Sequence, residues 1–328
     1  MEKKFRFGIM GAGNIARQFC DAVTRQGEGV VAAVASKSLE RAEKFAKEQG
    51  ISHFYGNYEE MLEREKPDAV YVAVTTNAHH ELTMLCLERG IPVLCEKAMC
   101  RNGKEAEDIF RCSRENNVFV MEGMWSRFLP KMKKVKEWLE EERIGKVNLV
   151  TCNIGFQAPE DMENRYYNPS LGGGATYDIL VYCYEIARYF FEDKPLECVC
   201  MTDWAKSGVD QTDTVLLKYP ECIVSLTATF QGDIPNDMIF YGSKGKIVVP
   251  YPHYGKEAYL YAEGETEEVF DSDKEENGFV YEISEVIRCV REGKIESSVA
   301  SHQMTLDMAQ VFDQIYSRMF CASRTLDG

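Results

Sequence analysis

The chain has 328 residues, 45% of them hydrophobic and 28% charged, with a formal net charge of -15. This length and apolar content predict two globular domains with sizeable cores. The acid excess argues against non-specific nucleic-acid binding and against docking on anionic membranes, since both surfaces repel a polyanion.

The first third alternates strand and helix signals. Strands are predicted over 5–10, 30–35, 69–74, 92–95 and 118–121, with helices over 14–25, 39–49, 78–89 and 104–116. Such alternation predicts parallel strands joined by right-handed crossovers, in a doubly wound α/β sheet. The pattern changes after about Gly123. A helix over 130–142, a strand over 147–156 and a glycine-rich helix over 175–191 follow. Then come strand-like runs over 197–203, 214–219, 223–230, 238–241, 246–249, 258–262 and 267–270, without long helices between them. They predict a mostly antiparallel sheet. Two helices, 279–291 and 302–317, close the chain. The reading is a Rossmann-type domain over 1–123 and an α+β domain over 124–328.

The opening apolar run is too short for a secretory signal and lacks a small-residue cleavage site, and no stretch is long enough to span a bilayer. The twelve cysteines are scattered singly, with no Cys-x-x-Cys pair. They read as reduced thiols of a cytoplasmic protein, with Cys183 and Cys289 as core filler.

Gly11-Ala12-Gly13-Asn14-Ile15-Ala16 follows the first strand and opens the first helix. This is the G-x-G-x-x-A form of a dinucleotide loop. The first glycine makes the tight turn, the second admits the pyrophosphate, and the helix N-terminus faces the phosphates. A glycine turn of another α/β protein is the bland alternative. An NAD site usually carries a carboxylate at the end of the second strand. This chain has Ser36, Lys37 and Ser38 there, with Arg41 a turn later, a set that suits a 2′-phosphate. NADP is therefore the expected cofactor, with NAD possible, unless Lys37 and Arg41 merely solvate a helix start. Thr75, Thr76 and Asn77 end the third clear strand at the carboxyl edge, where ligands bind open α/β sheets, and His80 follows on the helix. His79-His80-Glu81 is not H-E-x-x-H, because Met84 stands where the second histidine belongs, so no metal site is expected.

Two further segments carry chemistry. Glu96-Lys97 ends the strand over 92–95. Gly172-Gly173-Gly174-Ala175-Thr176-Tyr177-Asp178 leads into Tyr182, four residues beyond Asp178 and so on the same helical face. Asp178 in a first turn could simply complement the helix dipole. Tyr182 lies off the apolar stripe of Ile179, Cys183, Ile186, Ala187 and Phe190.

Taken together, these motifs resemble the glucose–fructose oxidoreductase / inositol dehydrogenase (Gfo/Idh/MocA) family across nearly the whole chain. Gly278-Phe279-x-Tyr281-Glu282 and Gly293-Lys294-x-Glu296-Ser297 also look like the family. Met121-Glu122-Gly123-Met124-Trp125-x-Arg127-Phe128 and Tyr182 resemble its dihydrodiol dehydrogenase branch, whereas many other branches carry histidine at the Tyr182 position. The resemblance implies a large open sheet in the second domain, often used for dimerisation, so a homo-dimer or homo-tetramer is expected. It implies an NADP(H)-dependent oxidoreductase acting on a sugar, polyol, diol or related carbonyl compound. Glu96 and Lys97 would join the cofactor site, and Trp125, Phe156 and Arg165 would line the substrate pocket.

The expected catalytic set is Lys97, Asp178 and Tyr182. A free tyrosine, with a pKa of about 10, is a poor base at neutral pH. A nearby lysine ammonium favours the tyrosinate. Tyr182 would then exchange the substrate proton with Lys97 in support, or Lys97 would donate it. Asp178 would fix the lysine or bind a substrate hydroxyl. The family's Glu-Lys-Pro, in which the Lys-Pro bond is often cis, is here Glu96-Lys97-Ala98. A trans bond, or a strained one held by its surroundings, is expected. Two competing functions are a member that keeps its cofactor bound and catalyses net isomerisation or transfer, and a regulator that senses NADP without chemistry.

Overall fold

The computed structural model describes residues 3–159, 161–191, 193–272 and 276–322. Contacts divide the chain into two compact units. One runs to Trp125 and includes Asn277–Leu306; the other is Ser126–Glu276 with the chain from Asp307 onward.

The first unit follows the expected alternation: β1 (Phe5–Met10), α1 (Asn14–Gln26), β2 (Gly29–Ala35), α2 (Leu39–Gln49), β3 (His53–Tyr55), α3 (Tyr58–Glu65), β4 (Ala69–Val72), α4 (His79–Leu87), β5 (Val93–Glu96), α5 (Gly103–Asn116) and β6 (Val120–Gly123). The strands are parallel, in the order β3-β2-β1-β4-β5-β6. This is the doubly wound order, whose switch point lies at the carboxyl ends of β1 and β4. All four residues of β4 are buried, as a strand covered by helices on both faces requires. Sequence periodicity missed β3 and α3. Asn57 nevertheless caps α3, its side chain accepting from the Glu60 amide at 2.9 Å.

The second unit contains α6 (Pro130–Glu140), β7 (Val147–Gly155), a π-helical turn (Thr176–Leu180), α7 (Val181–Phe190), β8 (Glu197–Trp204), β9 (Asp210–Lys218), β10 (Ile223–Thr229), β11 (Asp237–Gly242), β12 (Gly245–Pro250), β13 (Glu257–Ala262) and β14 (Glu268–Asp271). Its eight strands run β14-β13-β12-β11-β7-β10-β9-β8. The sheet is antiparallel except where β10 pairs with β7. One face is buried through Val215, Leu217, Val224 and Leu226. The other exposes Val199, Met201, Leu216 and Ile223, with Val199 directly opposite Leu216.

The last described elements are α8 (Phe279–Arg291) and α9 (His302–Ala322). The assignment of 124–328 wholly to a second domain needs correcting, because Asn277–Leu306 belongs to the first unit. The reason is packing: the apolar face of α8 lies on α1. Asn277 Nδ2 bonds Gln18 O at 2.9 Å, and Val120 N bonds Ile295 O at 3.0 Å. Among the described residues, no helix is long and apolar enough to cross a membrane.

Candidate active site

Gly11 leaves β1 with φ +113°, and a Cβ there would stand 2.2 Å from Ala73 O on the neighbouring strand end. Only glycine fits that turn. Gly13 differs: its φ is -103°, and a Cβ would meet nothing within 4 Å. The loop therefore opens onto free space at the second glycine. Gly13 is the N-cap of α1, and it makes no side-chain cap bond. The first-turn amides, with Asn14 exposed and Ala12 and Ile15 half-buried beside them, thus keep their capacity for an anion. These features fit the pyrophosphate of a dinucleotide.

At the end of β2, Ser36 is buried and accepts from the Ser38 amide at 3.4 Å, while Ser38 Oγ accepts from the Arg41 amide at 3.3 Å. Both serines thus help to build the start of α2. Lys37 and Arg41 are exposed, and neither forms an ion pair among the described residues. The Tyr58 hydroxyl, on the helix that periodicity missed, bonds the Lys37 backbone.

Beyond β4, Thr75 Oγ1 bonds Asn77 Oδ1 at 2.6 Å, and Thr76–Ala78 forms a short 3-10 turn into α4. His80 Nε2 is buried without a hydrogen-bond partner among the described residues. Its neighbour His79, which sequence reasoning passed over, is fully buried between two carbonyls. Its Nδ1 lies 2.7 Å from Ala98 O and its Nε2 3.1 Å from Val74 O. Burial holds its pKa below the ordinary histidine value. The neutral ring has one N–H to donate, and the shorter contact ties α4 to the residue after Lys97.

Glu96 ends β5 with its carboxyl turned into the unit, where it accepts from the Tyr71 hydroxyl. Burial raises its pKa to about 7 against the pull of Tyr71 and Lys97. Lys97 is half-buried, and the Lys97–Ala98 bond is cis. A second carboxyl, Glu282 of α8, stands near Glu96, and both of its oxygens are buried without a partner among the described residues. Burial, then the charge of Glu96, holds its pKa well above the carboxylate range. Trp125 stacks on Phe279 of the same unit, with ring centroids 5.2 Å apart.

In the second unit, the glycine-rich loop is fixed by close approach. Gly174 has φ +127°, and a Cβ would lie 2.3 Å from Asp210 Oδ1. The following segment is not α-helical from the start, because Thr176–Leu180 is a π turn and α7 begins at Val181. Asp178 and Tyr182 therefore project from a π turn and the α-helix it feeds. Single π turns inside helices recur at functional sites. Asp178 pairs with Arg165 at 3.1 Å. Arg165 lies over the Tyr166 ring at 4.2 Å, and Tyr166 meets Phe156 at 5.4 Å. The structure thus links Asp178, Arg165 and Phe156 through Tyr166. Tyr182 is half-buried, with its ring 5.4 Å from that of His253, a residue without any motif in the sequence.

Residues 5–124 match the model of the oxidoreductase family with an NAD-binding Rossmann fold, and residues 132–248 match the Gfo/Idh/MocA C-terminal domain. The trans-1,2-dihydrobenzene-1,2-diol dehydrogenase of Danio rerio is 32% identical over 322 residues, 94% of this chain and 95% of that one. The Mus musculus enzyme of the same name is 32% identical over 320 residues with the same coverage. Among solved structures, a 3-ketoreductase from Actinomadura kijaniata with NADP and TDP-benzene has a TM-score of 0.86 at 24% identity, covering 96% of this chain and 98% of that one. An aldose-aldose oxidoreductase from Caulobacter crescentus reaches 0.87 at 20% identity, covering 98% of each chain. At these identities the structures speak for the fold. With both domain models matched and relatives aligned along nearly its whole length, the chain belongs to the Gfo/Idh/MocA oxidoreductase family and is similar to its dihydrodiol dehydrogenases.

Proposed function

We propose that this protein is an NADP(H)-dependent oxidoreductase that moves a hydride between nicotinamide and a CH–OH carbon of a diol, polyol, sugar or their carbonyl counterparts. One observation carries the cofactor reading. Gly13 opens to free space at an uncapped helix N-terminus, while Lys37 and Arg41 stand exposed and, among the described residues, without an ion pair at the end of the neighbouring strand. Gly11, Ala12, Gly13, Asn14 and Ile15 would hold the pyrophosphate, and Ser36, Lys37 and Arg41 the 2′-phosphate. Thr75, Thr76, Asn77, His80, Glu96 and Lys97 would complete the cofactor edge, with Glu96 acting from beneath through its bond to the Lys97 amide.

The bound nicotinamide supplies the hydride acceptor or donor. Tyr182 exchanges the proton of the substrate hydroxyl, and the Lys97 ammonium favours its phenolate. Asp178, oriented by Arg165, accepts a hydrogen bond from a substrate hydroxyl. Phe156 and Trp125 line the substrate with apolar surface. The exposed apolar face around Val199, Met201 and Leu216 supports a homo-dimer or homo-tetramer through the eight-stranded sheet. Cys20, Cys86, Cys95, Cys183 and Cys289 are free buried thiols, in keeping with the cytoplasm. A calorimetric titration with NADPH and NADH tests the cofactor reading. Tighter NADPH binding supports it, and tighter NADH binding overturns it.

A further inference from the structure

Two carboxyls lie at the foot of the glycine-rich loop. Asp210 and Asp213 are three apart on β9, a spacing that would put them on opposite faces of a regular strand. Here the β8–β9 register shifts. Trp204 pairs with Asp210 and Asp203 with Thr212, which leaves Gln211 as an extra residue on β9. The bulge turns both side chains to the same side. Both residues are fully buried, and their carboxyls bond to each other. Asp210 Oδ2 accepts from the Thr176 amide at 2.5 Å, and Asp210 Oδ1 accepts from the Tyr316 hydroxyl. Asp213 accepts from Thr176 Oγ1 at 3.0 Å and from Thr202 Oγ1 at 2.7 Å.

The groups facing the pair are Thr176 from the π turn, Thr202 from β8 and Tyr316 from α9. Tyr177 stacks on Tyr316 at 5.3 Å. Asp210, Asp213, Tyr316 and Tyr177 are the titratable members, and no cation pairs with either carboxyl among the described residues. Two bonded carboxyls without a counter-ion cannot both be ionised. We propose that Asp210 and Asp213 hold one proton between them and act as positioning residues, because that proton holds together the two carboxyls that accept from Thr176 and so fixes the turn that presents Asp178 and Tyr182. The inference rests on the proposed oxidoreductase function for its catalytic consequence.

The shared proton makes the pair titrate as one unit. Burial, then the Asp210 charge, raises the Asp213 pKa to about 9. A carboxyl raised in the folded state stabilises the fold fully below its unfolded pKa of about 4, and this contribution is lost as pH climbs towards 9. Near the upper end the clamp itself ionises, and the two carboxylates repel.

Trp204 reports on the clamp, since its ring meets that of Tyr316 at 5.5 Å. The experiment follows tryptophan emission and turnover across alkaline pH in wild type, Asp213→Asn and Thr202→Val, with Trp204→Phe identifying the reporter. Wild type should show an emission step near pH 9 that is absent from Trp204→Phe, with turnover falling over the same range. Asp213→Asn, which keeps hydrogen-bonding capacity but has no proton to lose, should show neither change. Thr202→Val removes a bond that favours the ionised form and should move the step to higher pH. A step that persists in Asp213→Asn, or wild-type turnover that passes through it unchanged, overturns the proposal. If Asp213→Asn does not fold, a step that fails to move in Thr202→Val overturns it equally. Absence of turnover at every pH would contradict the oxidoreductase function, while the emission step still decides for or against the shared proton.

Discussion

Arg165 Nη1 lies 3.1 Å from Asp178 Oδ1, across a pair in which the arginine is the more exposed partner. This joins a residue expected to line the substrate to one expected to act on it. An exposed pair of this kind adds about 0–1 kcal/mol to stability, so its value lies in orienting the carboxylate. Arg165→Met should leave the melting temperature nearly unchanged and raise KM about tenfold, with a smaller effect on kcat, as loss of uniform substrate binding does. Steady-state kinetics beside a thermal melt check this. A large fall in kcat at unchanged KM would mean that the pair serves the chemical step instead.

The two loop glycines should separate fold from function. Gly11→Ala drives a Cβ into Ala73 O and should destabilise the first unit. Gly13→Ala puts its methyl group into open space at an ordinary φ. It should melt close to wild type while losing about tenfold or more in NADPH affinity, because the methyl occupies space the pyrophosphate needs. A Gly13→Ala protein that binds NADPH normally would place the pyrophosphate elsewhere.

Lys37 and Arg41 should discriminate between cofactors. Replacing either with alanine should weaken NADPH about 10- to 150-fold, as loss of one charge-assisted bond of roughly 1.5–3 kcal/mol requires, and leave NADH unaffected. Equal losses for both cofactors would assign the two cations to the shared part of the dinucleotide.

Glu282 places a buried stability cost near Glu96. Its carboxyl is buried without a partner among the described residues, and its pKa is raised by burial and by Glu96. A carboxyl with a raised folded pKa favours the fold most at acid pH, and that contribution falls as pH rises above its unfolded pKa of about 4.3. Glu282→Met should therefore stabilise the protein by ~1–3 kcal/mol at about pH 8 and by less at about pH 5. Thermal melts at the two pH values test this. A variant less stable than wild type at the higher pH would show that the carboxyl is satisfied.

The parallel core was legible because each of its features is local. The glycine loop, the apolar strands and the capped helices all announce themselves over a few residues. Strand β3 escaped because it is three residues long, with His53 and Phe54 exposed. The return of α8 to the first unit was hidden because amphipathicity reveals that a helix buries one face, without revealing which neighbour covers it. Asp178 and Tyr182 stand out as candidates by type and spacing, but the π turn beneath them depends on tertiary contacts at Gly174 and Thr176. Asp210 and Asp213 were invisible for a related reason. Acidic residues at a strand start read as solvent-exposed, and a bulge that turns both inward leaves no mark in the pattern. His79, flanked by two carbonyls, and His253, beside Tyr182, likewise reach their positions through folding alone.

The most direct test of the account is turnover by Tyr182→Phe and Lys97→Met, followed by nicotinamide absorbance with NADP and a panel of diols and sugars. Each variant should bind NADPH yet lose about 10²-fold or more in turnover of every substrate that wild type oxidises. Near-normal turnover in either variant would remove that residue from proton transfer, and wild-type inactivity across the panel with both nicotinamide cofactors would contradict the proposed function.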